Sequence, residues 1–204
     1  TTGNVPRDLQ ALDDALRARA SAGDVPPWHG PDLALPLDAP VEGVEEAARS
    51  LASAMKAAGI ASMRLRAQAV DPPEFNAAVR RLGTKSALLA EVASTYLADA
   101  RPRERFVCDR WGGRTNYREI LSKAHGGPDR CEVRQLSRKR DDLRYEVERA
   151  DDKVEVAFRC RAESHSFEVA LASMTAKYLR EVRMRAFNDW WCARLEGLRS
   201  TAGY

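Results

Sequence analysis

Two carboxylates stand where acids can do chemistry. Asp109 closes a short apolar run, Arg105-Phe106-Val107-Cys108, and is followed by Trp111-Gly112-Gly113. A carboxylate directly after a strand and before a glycine turn occupies the place where open α/β sheets put their ligand crevice; the same residue can simply cap a turn. Glu163 stands in Arg161-Ala162-Glu163-Ser164-His165-Ser166, after the last strand-like segment and before a long helical pattern. If the fold brings Asp109 and Glu163 together, two acids without Cys or His partners suit a hard divalent cation such as Mg²⁺ or Mn²⁺. As an alternative, Glu163 only complements a helix N-terminus.

Basic side chains form a second set. Arg134, Arg138, Lys139 and Arg140, with Arg144 nearby, make the densest cluster, able to hold a nucleic-acid backbone by unspecific electrostatics or to be a solvated strand-end loop. Lys177 and Arg180 lie three apart on the long helix, with Arg183 a turn further, so one basic edge can face a phosphate or solvent. His29, His125 and His165 have no recognisable catalytic partner, and no nucleophile elbow, metalloprotease helix motif or phosphate-binding glycine loop is present. A triad hydrolase, a thiol enzyme and a nucleotide cofactor are therefore not expected.

The elements that must position these groups follow from periodicity. Pro6 to Ala22, with Leu9, Leu12 and Leu16 spaced for one face and Gly23 as a stop, predicts a short amphipathic helix, followed by a proline-rich connector to residue 40. An alanine-rich helix is predicted from Val41 to Ala58, and the alternation of Ile60 to Val70 predicts a strand. Asp71-Pro72-Pro73 reads as a helix start, with Asp71 as the cap, and the helix breaks near Gly83 before continuing to about Ala98. Then come the strand Arg105–Asp109, a short helix from Asn116 to Lys123 and a strand from Cys131 to Leu136. Leu143, Tyr145 and Val147, answered by Val154, Val156, Phe158 and Cys160, give the clearest hairpin, and Val169 to Leu195 gives a long helix. Strands alternating with helices argue for an α/β fold. The expected organisation is an N-terminal helix and connector, 1–40, and a main domain, 41–204.

Composition bounds the class. The 204 residues are 44% hydrophobic and 31% charged, enough for a sizeable core. The net charge is only +3, so attraction to a polyanion must come from local patches, and the basic excess is concentrated in residues 101–150. No apolar run approaches the length of a membrane span. The four cysteines, Cys108, Cys131, Cys160 and Cys192, are too dispersed for a zinc site and mostly fall in apolar patterns, which suits free thiols in a reducing, cytoplasmic setting.

In this order the residues resemble the type 2 ribonuclease H (ribonuclease HII) family, and a divergent bacterial branch of it. Ala172-Ser173-Met174-Thr175-Ala176-Lys177-Tyr178-Leu179-Arg180 is similar to that family's Ala-Ser-Ile-x-Ala-Lys-Val-x-Arg helix. Phe75-Asn76 through Leu89, and Gly112-Gly113-Arg114 with Tyr117, are similar to the divergent branch, and the resemblance spans roughly residues 60–195. It implies a ribonuclease H-like mixed sheet flanked by helices, with an added β-hairpin before the C-terminal helix. It implies a divalent-metal-dependent endoribonuclease acting on an RNA–DNA hybrid or on ribonucleotide-containing DNA. By the same resemblance Asp109 and Glu163 are the catalytic metal ligands, with Lys177 and Arg180 supporting the helix end or a phosphate; Arg114 and Tyr117, together with the basic cluster at Arg138, Lys139 and Arg140, are then expected on the nucleic acid. The family opens with a strand bearing Asp-Glu-x-Gly, whereas this sequence has no Asp-Glu dipeptide. The chain is accordingly expected to start after that strand, or to be a homologue without it: a catalytically silent nucleic-acid-binding relative, or a protein-interaction module.

Overall fold

The computed structural model describes residues 5–17, 26–29, 33–61, 63–150 and 152–202. In chain order the elements are α1 (Leu9–Leu16), α2 (Val41–Ala57), α3 (Pro72–Leu82), α4 (Lys85–Ala98), β1 (Arg105–Asp109), α5 (Arg118–Ala124), β2 (Glu132–Lys139), β3 (Asp142–Arg149), β4 (Asp152–Arg159), a single 3-10 turn (Ala162–Ser164) and α6 (Phe167–Cys192). They fall into two compact units, Pro72–Met174 and the remainder, Thr1–Asp71 with Thr175–Tyr204, so α6 contributes residues to both. The boundaries lie at residues 71 and 174, not at residue 40.

The Pro72–Met174 unit is α/β: a four-stranded mixed sheet flanked by helices, ordered β1-β4-β3-β2. β1 runs parallel to β4, while β4, β3 and β2 form an antiparallel meander. Period-two patterning fixes which face is buried. Leu143, Tyr145, Val147, Val154, Val156 and Phe158 point into one core with Leu97, Tyr117 and Leu121, while Asp142, Arg144, Glu146 and Arg159 take the other face. Tyr117 and Phe158 stack at 3.6 Å between ring centroids, both fully buried. Truncating either to Ala would cost about 3–5 kcal/mol.

β2 runs three residues beyond the expected Leu136. A bulge between Gln135 and Ser137 resets the register so that Ser137 faces Arg144 and Lys139 faces Asp142. Backbone pairing carries the strand through a polar Ser-Arg-Lys tail in which no apolar alternation could announce it. The break between α3 and α4 is at Gly83, whose φ of 81° is the left-handed region, and Thr84 then caps α4 by accepting the Ala87 N–H at 3.1 Å.

In the other unit the α1 leucines behave as their spacing predicts: Leu9, Leu12 and Leu16 bury against Leu35, Leu179, Val182 and Ala186. Asp8 caps α1, its Oδ1 accepting the Ala11 N–H at 2.8 Å, and Arg17 ends it in a left-handed conformation. The helix therefore stops at Leu16, short of the expected Ala22; Gly23 lies outside the described residues. The strand expected over 60–70 does not form. Among its described residues Leu65, Ala67 and Ala69 lie against the leucine core, Gln68 makes an isolated bridge, and the Ala67 N–H donates to the Leu16 carbonyl at 3.2 Å, but no strand ladder runs along them. Alternation specifies which side chains face inward; a strand also needs a neighbour along its length. No helix among the described residues is long and apolar enough to cross a membrane.

Candidate metal and nucleic-acid site

The elements that carry the two acids come together at the C-terminal end of the parallel pair. β1 ends on Asp109, which faces Arg159 of β4. Beyond β4 the chain reverses at Arg161, left-handed with φ of 52°, so that the N–H of the fully buried Ala162 donates to Asp109 Oδ1 at 3.3 Å. Glu163, the next residue, is exposed, as is Asp109. Asp109 thus spends one oxygen on the turn that carries Glu163.

The basic strand end lies on the same side of this unit. A cross-strand row runs from Asp109 to Arg159, from Arg159 to Asp142 and from Asp142 to Lys139. Arg138, Lys139 and Arg140 are exposed there, and among the described residues their charged ends have no ion-pair partner. A shallow cavity of about 320 Å³ opens beside them, lined by Leu136, Ser137, Lys139, Asp142, Arg144 and Glu155.

The neighbouring Arg144 and Arg134 are engaged. Asp142 takes Arg144 on Oδ2, at 2.9 Å from Nε and 2.6 Å from Nη2, and Arg159 Nε on Oδ1 at 3.1 Å. The bonds from Arg144 foremost, with those from Arg159, hold the Asp142 carboxyl below the usual range against a partial cost of burial. Arg134 is paired with Glu146, whose carboxyl it likewise lowers.

Arg110 escaped the reading of the sequence. Its guanidinium donates to the carbonyls of Arg114 at 3.0 Å and Arg140 at 2.7 Å and lies 3.6 Å from Cys160 Sγ. It therefore pins the glycine turn after β1 to the β2–β3 turn, the two segments that flank the acids. The available signal was an arginine immediately after a strand-ending carboxylate, where a solvated side chain would need no such reach.

Two residues expected on the nucleic acid serve the core and the loop instead. Tyr117 is completely buried; its hydroxyl accepts the Trp111 N–H at 3.0 Å, and its own N–H donates to the Tyr145 hydroxyl at 3.3 Å. Burial pushes its phenol up, and the ring is closed to any ligand. Its place is dictated by the Phe158 stack, which the spacing of Gly-Gly-Arg and Tyr could not disclose. Arg114 is half-buried and turns to Ser86 Oγ at 3.3 Å, so it braces the loop against α4.

Lys177 and Arg180 belong to the other compact unit. Lys177 is exposed, while Arg180 donates to Glu181 Oε1 at 2.6 Å and to the Ala202 carbonyl. Arg183, expected on the same basic edge, has a side chain only 12% exposed. Its Nη2 donates to Asp13 Oδ2 at 2.7 Å and its Nη1 to Asp71 Oδ2 at 3.3 Å, with His29 Nε2 2.9 Å from that Nη1 and 3.2 Å from Asp71 Oδ1. Burial tends to raise the Asp71 carboxyl, but His29 and Arg183 together hold it below its ordinary value. Asp71, expected as the cap of α3, has both oxygens in this cluster. Its signal was present: position 183 falls in phase with the buried Leu179, Val182 and Ala186, and a charge on that face must find buried partners.

As a cation site, Asp109 and Glu163 supply hard oxygen donors, right in kind for Mg²⁺ or Mn²⁺. In number they fall short of a closed cage: among the described residues no group of three or more His, Cys, Asp or Glu side chains is placed to hold a metal ion. The thiols offer no alternative chemistry at β1, because burial, then the neighbouring Asp109 charge, pushes Cys108 up to about 12. Comparison with known proteins adds no name to this site: no family matches the chain, and neither does any curated protein or solved structure.

Proposed function

We propose that this chain is a divalent-metal-dependent endoribonuclease with a ribonuclease H-like fold, cutting RNA in RNA–DNA hybrids or ribonucleotides embedded in DNA. The observation that supports the reading is the bond from the Ala162 N–H to Asp109, which ties the exposed Asp109 to the turn that carries the exposed Glu163, at the sheet end that also presents Arg138, Lys139 and Arg140. Acids close together and bases beyond them are what hydrolysis of a polyanion requires. Asp109, through its remaining oxygen, and Glu163 would hold Mg²⁺ or Mn²⁺, leaving the rest of the coordination shell to water, substrate phosphate and further carboxylates. When bound, such a cation polarises the phosphodiester and lowers the pKa of a water nucleophile. The basic turn would hold the strand by its phosphates.

A second reading has its own observation. With two acids and no third ligand among the described residues, the chain also fits a nucleic-acid-binding relative that does not cut. Incubating the chain with an RNA–DNA hybrid and Mg²⁺ or Mn²⁺ separates the two. Cleavage that is lost in Asp109→Asn and in Glu163→Gln supports the nuclease; salt-sensitive binding without turnover supports the silent binder; neither binding nor cleavage ends both.

A further inference from the structure

α2 buries none of its residues, although its sequence has a regular apolar stripe. Val41, Val44, Ala48, Leu51, Met55 and Ala58 recur at alternating spacings of three and four, the a and d positions of a heptad, and Leu51 is 41% exposed. A helix of seventeen residues in a folded protein draws most of its stability from packing one apolar face.

The charges indicate what covers that face. Glu42, Glu45 and Glu46 lie in the first half of α2, Arg49 and Lys56 in the second. A second copy laid antiparallel sets Val41 opposite Ala58, Val44 opposite Met55 and Ala48 opposite Leu51, an unbroken a-to-d pairing. The same placement brings the edge carrying Glu42 and Glu45 against the partner's edge carrying Arg49 and Lys56. Parallel pairing would set the two acidic halves side by side. Ala47, Ala52 and Ala54 flank the seam, so two backbones can approach closely.

We propose that this chain self-associates through α2, two copies pairing antiparallel about a two-fold axis near the helix midpoint. The contact is isologous and closes at two chains. One helix pair is a small interface, so the dimer is weak and reversible.

Sedimentation velocity of the whole chain, from micromolar to several hundred micromolar, tests this. A concentration-dependent monomer–dimer equilibrium is expected. Leu51→Glu, at an exposed position that leaves the fold intact by circular dichroism, should weaken it at least tenfold. Glu42→Lys with Glu45→Lys should also weaken it, and adding Arg49→Glu with Lys56→Glu should restore it, a rescue that only antiparallel pairing predicts. A chain that stays monomeric throughout, a dimer indifferent to Leu51→Glu, or reversals that fail to rescue would each overturn the proposal. So would a chain monomeric alone whose α2 face instead takes an RNA–DNA hybrid, weakened by Leu51→Glu.

Discussion

Asp109 Oδ1 accepts the Ala162 N–H at 3.3 Å across 53 residues of sequence, so the strand-ending acid holds in place the turn on which Glu163 stands. The bond gives Asp109 a positioning duty that is separable from its charge.

That separation can be measured at position 109. Asn keeps an oxygen that accepts the Ala162 N–H but loses the negative charge; Ala loses both. If the carboxylate holds a cation, Asp109→Asn should fold like the parent and cleave hybrid about a hundredfold more slowly or worse, since metal-held charge stabilisation is worth several kcal/mol. Asp109→Ala should be equally inactive and also melt earlier, by about 1 kcal/mol for the lost bond. Wild-type cleavage by Asp109→Asn would remove Asp109 from the chemistry.

For the basic turn, salt dependence is the readout. Replacing Arg138, Lys139 and Arg140 together by Gln should flatten the slope of log affinity against log salt for a hybrid, by about 0.9 for each phosphate no longer neutralised. Arg144→Gln should leave the slope nearly unchanged, because Arg144 is already committed to Asp142. Equal slopes for the triple variant and the parent would place the backbone elsewhere.

His125 gives the Pro72–Met174 unit an acid-sensitive core. The ring is buried and neither nitrogen has a hydrogen-bond partner. Burial first, then repulsion by Arg149, hold its pKa below the ordinary imidazole value, with Asp152 opposing. The unfolded chain therefore binds the proton more readily, and stability should be intact above about pH 6.5 and fall as the pH drops below it. Urea unfolding midpoints between about pH 5 and pH 7.5 should show this loss in the parent and a smaller one in His125→Phe. An identical pH dependence in the two proteins would exclude His125 as its source.

Arg183 is the cation on which a buried cluster depends. Arg183→Met leaves Asp13 and Asp71 facing each other's surroundings without their shared donor and should cost about 3–5 kcal/mol. Asp13→Asn placed in the same chain should recover part of that loss, because one of the stranded charges is gone. Denaturant unfolding of the single and double variants checks it; additive losses would show that Asp13 and Arg183 do not act together.

Much of the architecture was legible because it is local. The Leu143–Val147 and Val154–Phe158 alternation, the strand ending on Asp109, the Gly83 break and the long last helix are each written in spacings of two, three or four residues, which fix side-chain direction before any tertiary contact forms. The approach of Asp109 to the turn bearing Glu163 was legible only as a condition: strand ends can converge, and here the left-handed turn at Arg161 brings the Ala162 N–H onto Asp109.

What the amino-acid order alone determined was therefore the type of most elements, the face they bury and the residue types at their ends. Tertiary structure decided which of those ends meet and which charges remain available. It buried Tyr117 under Phe158, drew Arg183 into a cluster with Asp13, His29 and Asp71, used Arg110 as a clamp, and gave the described residues of 60–70 no strand ladder. The reason is physical: periodicity is set by neighbours a few bonds apart, whereas ion pairs, ring stacks and strand ladders need partners the chain supplies only after it has folded back on itself.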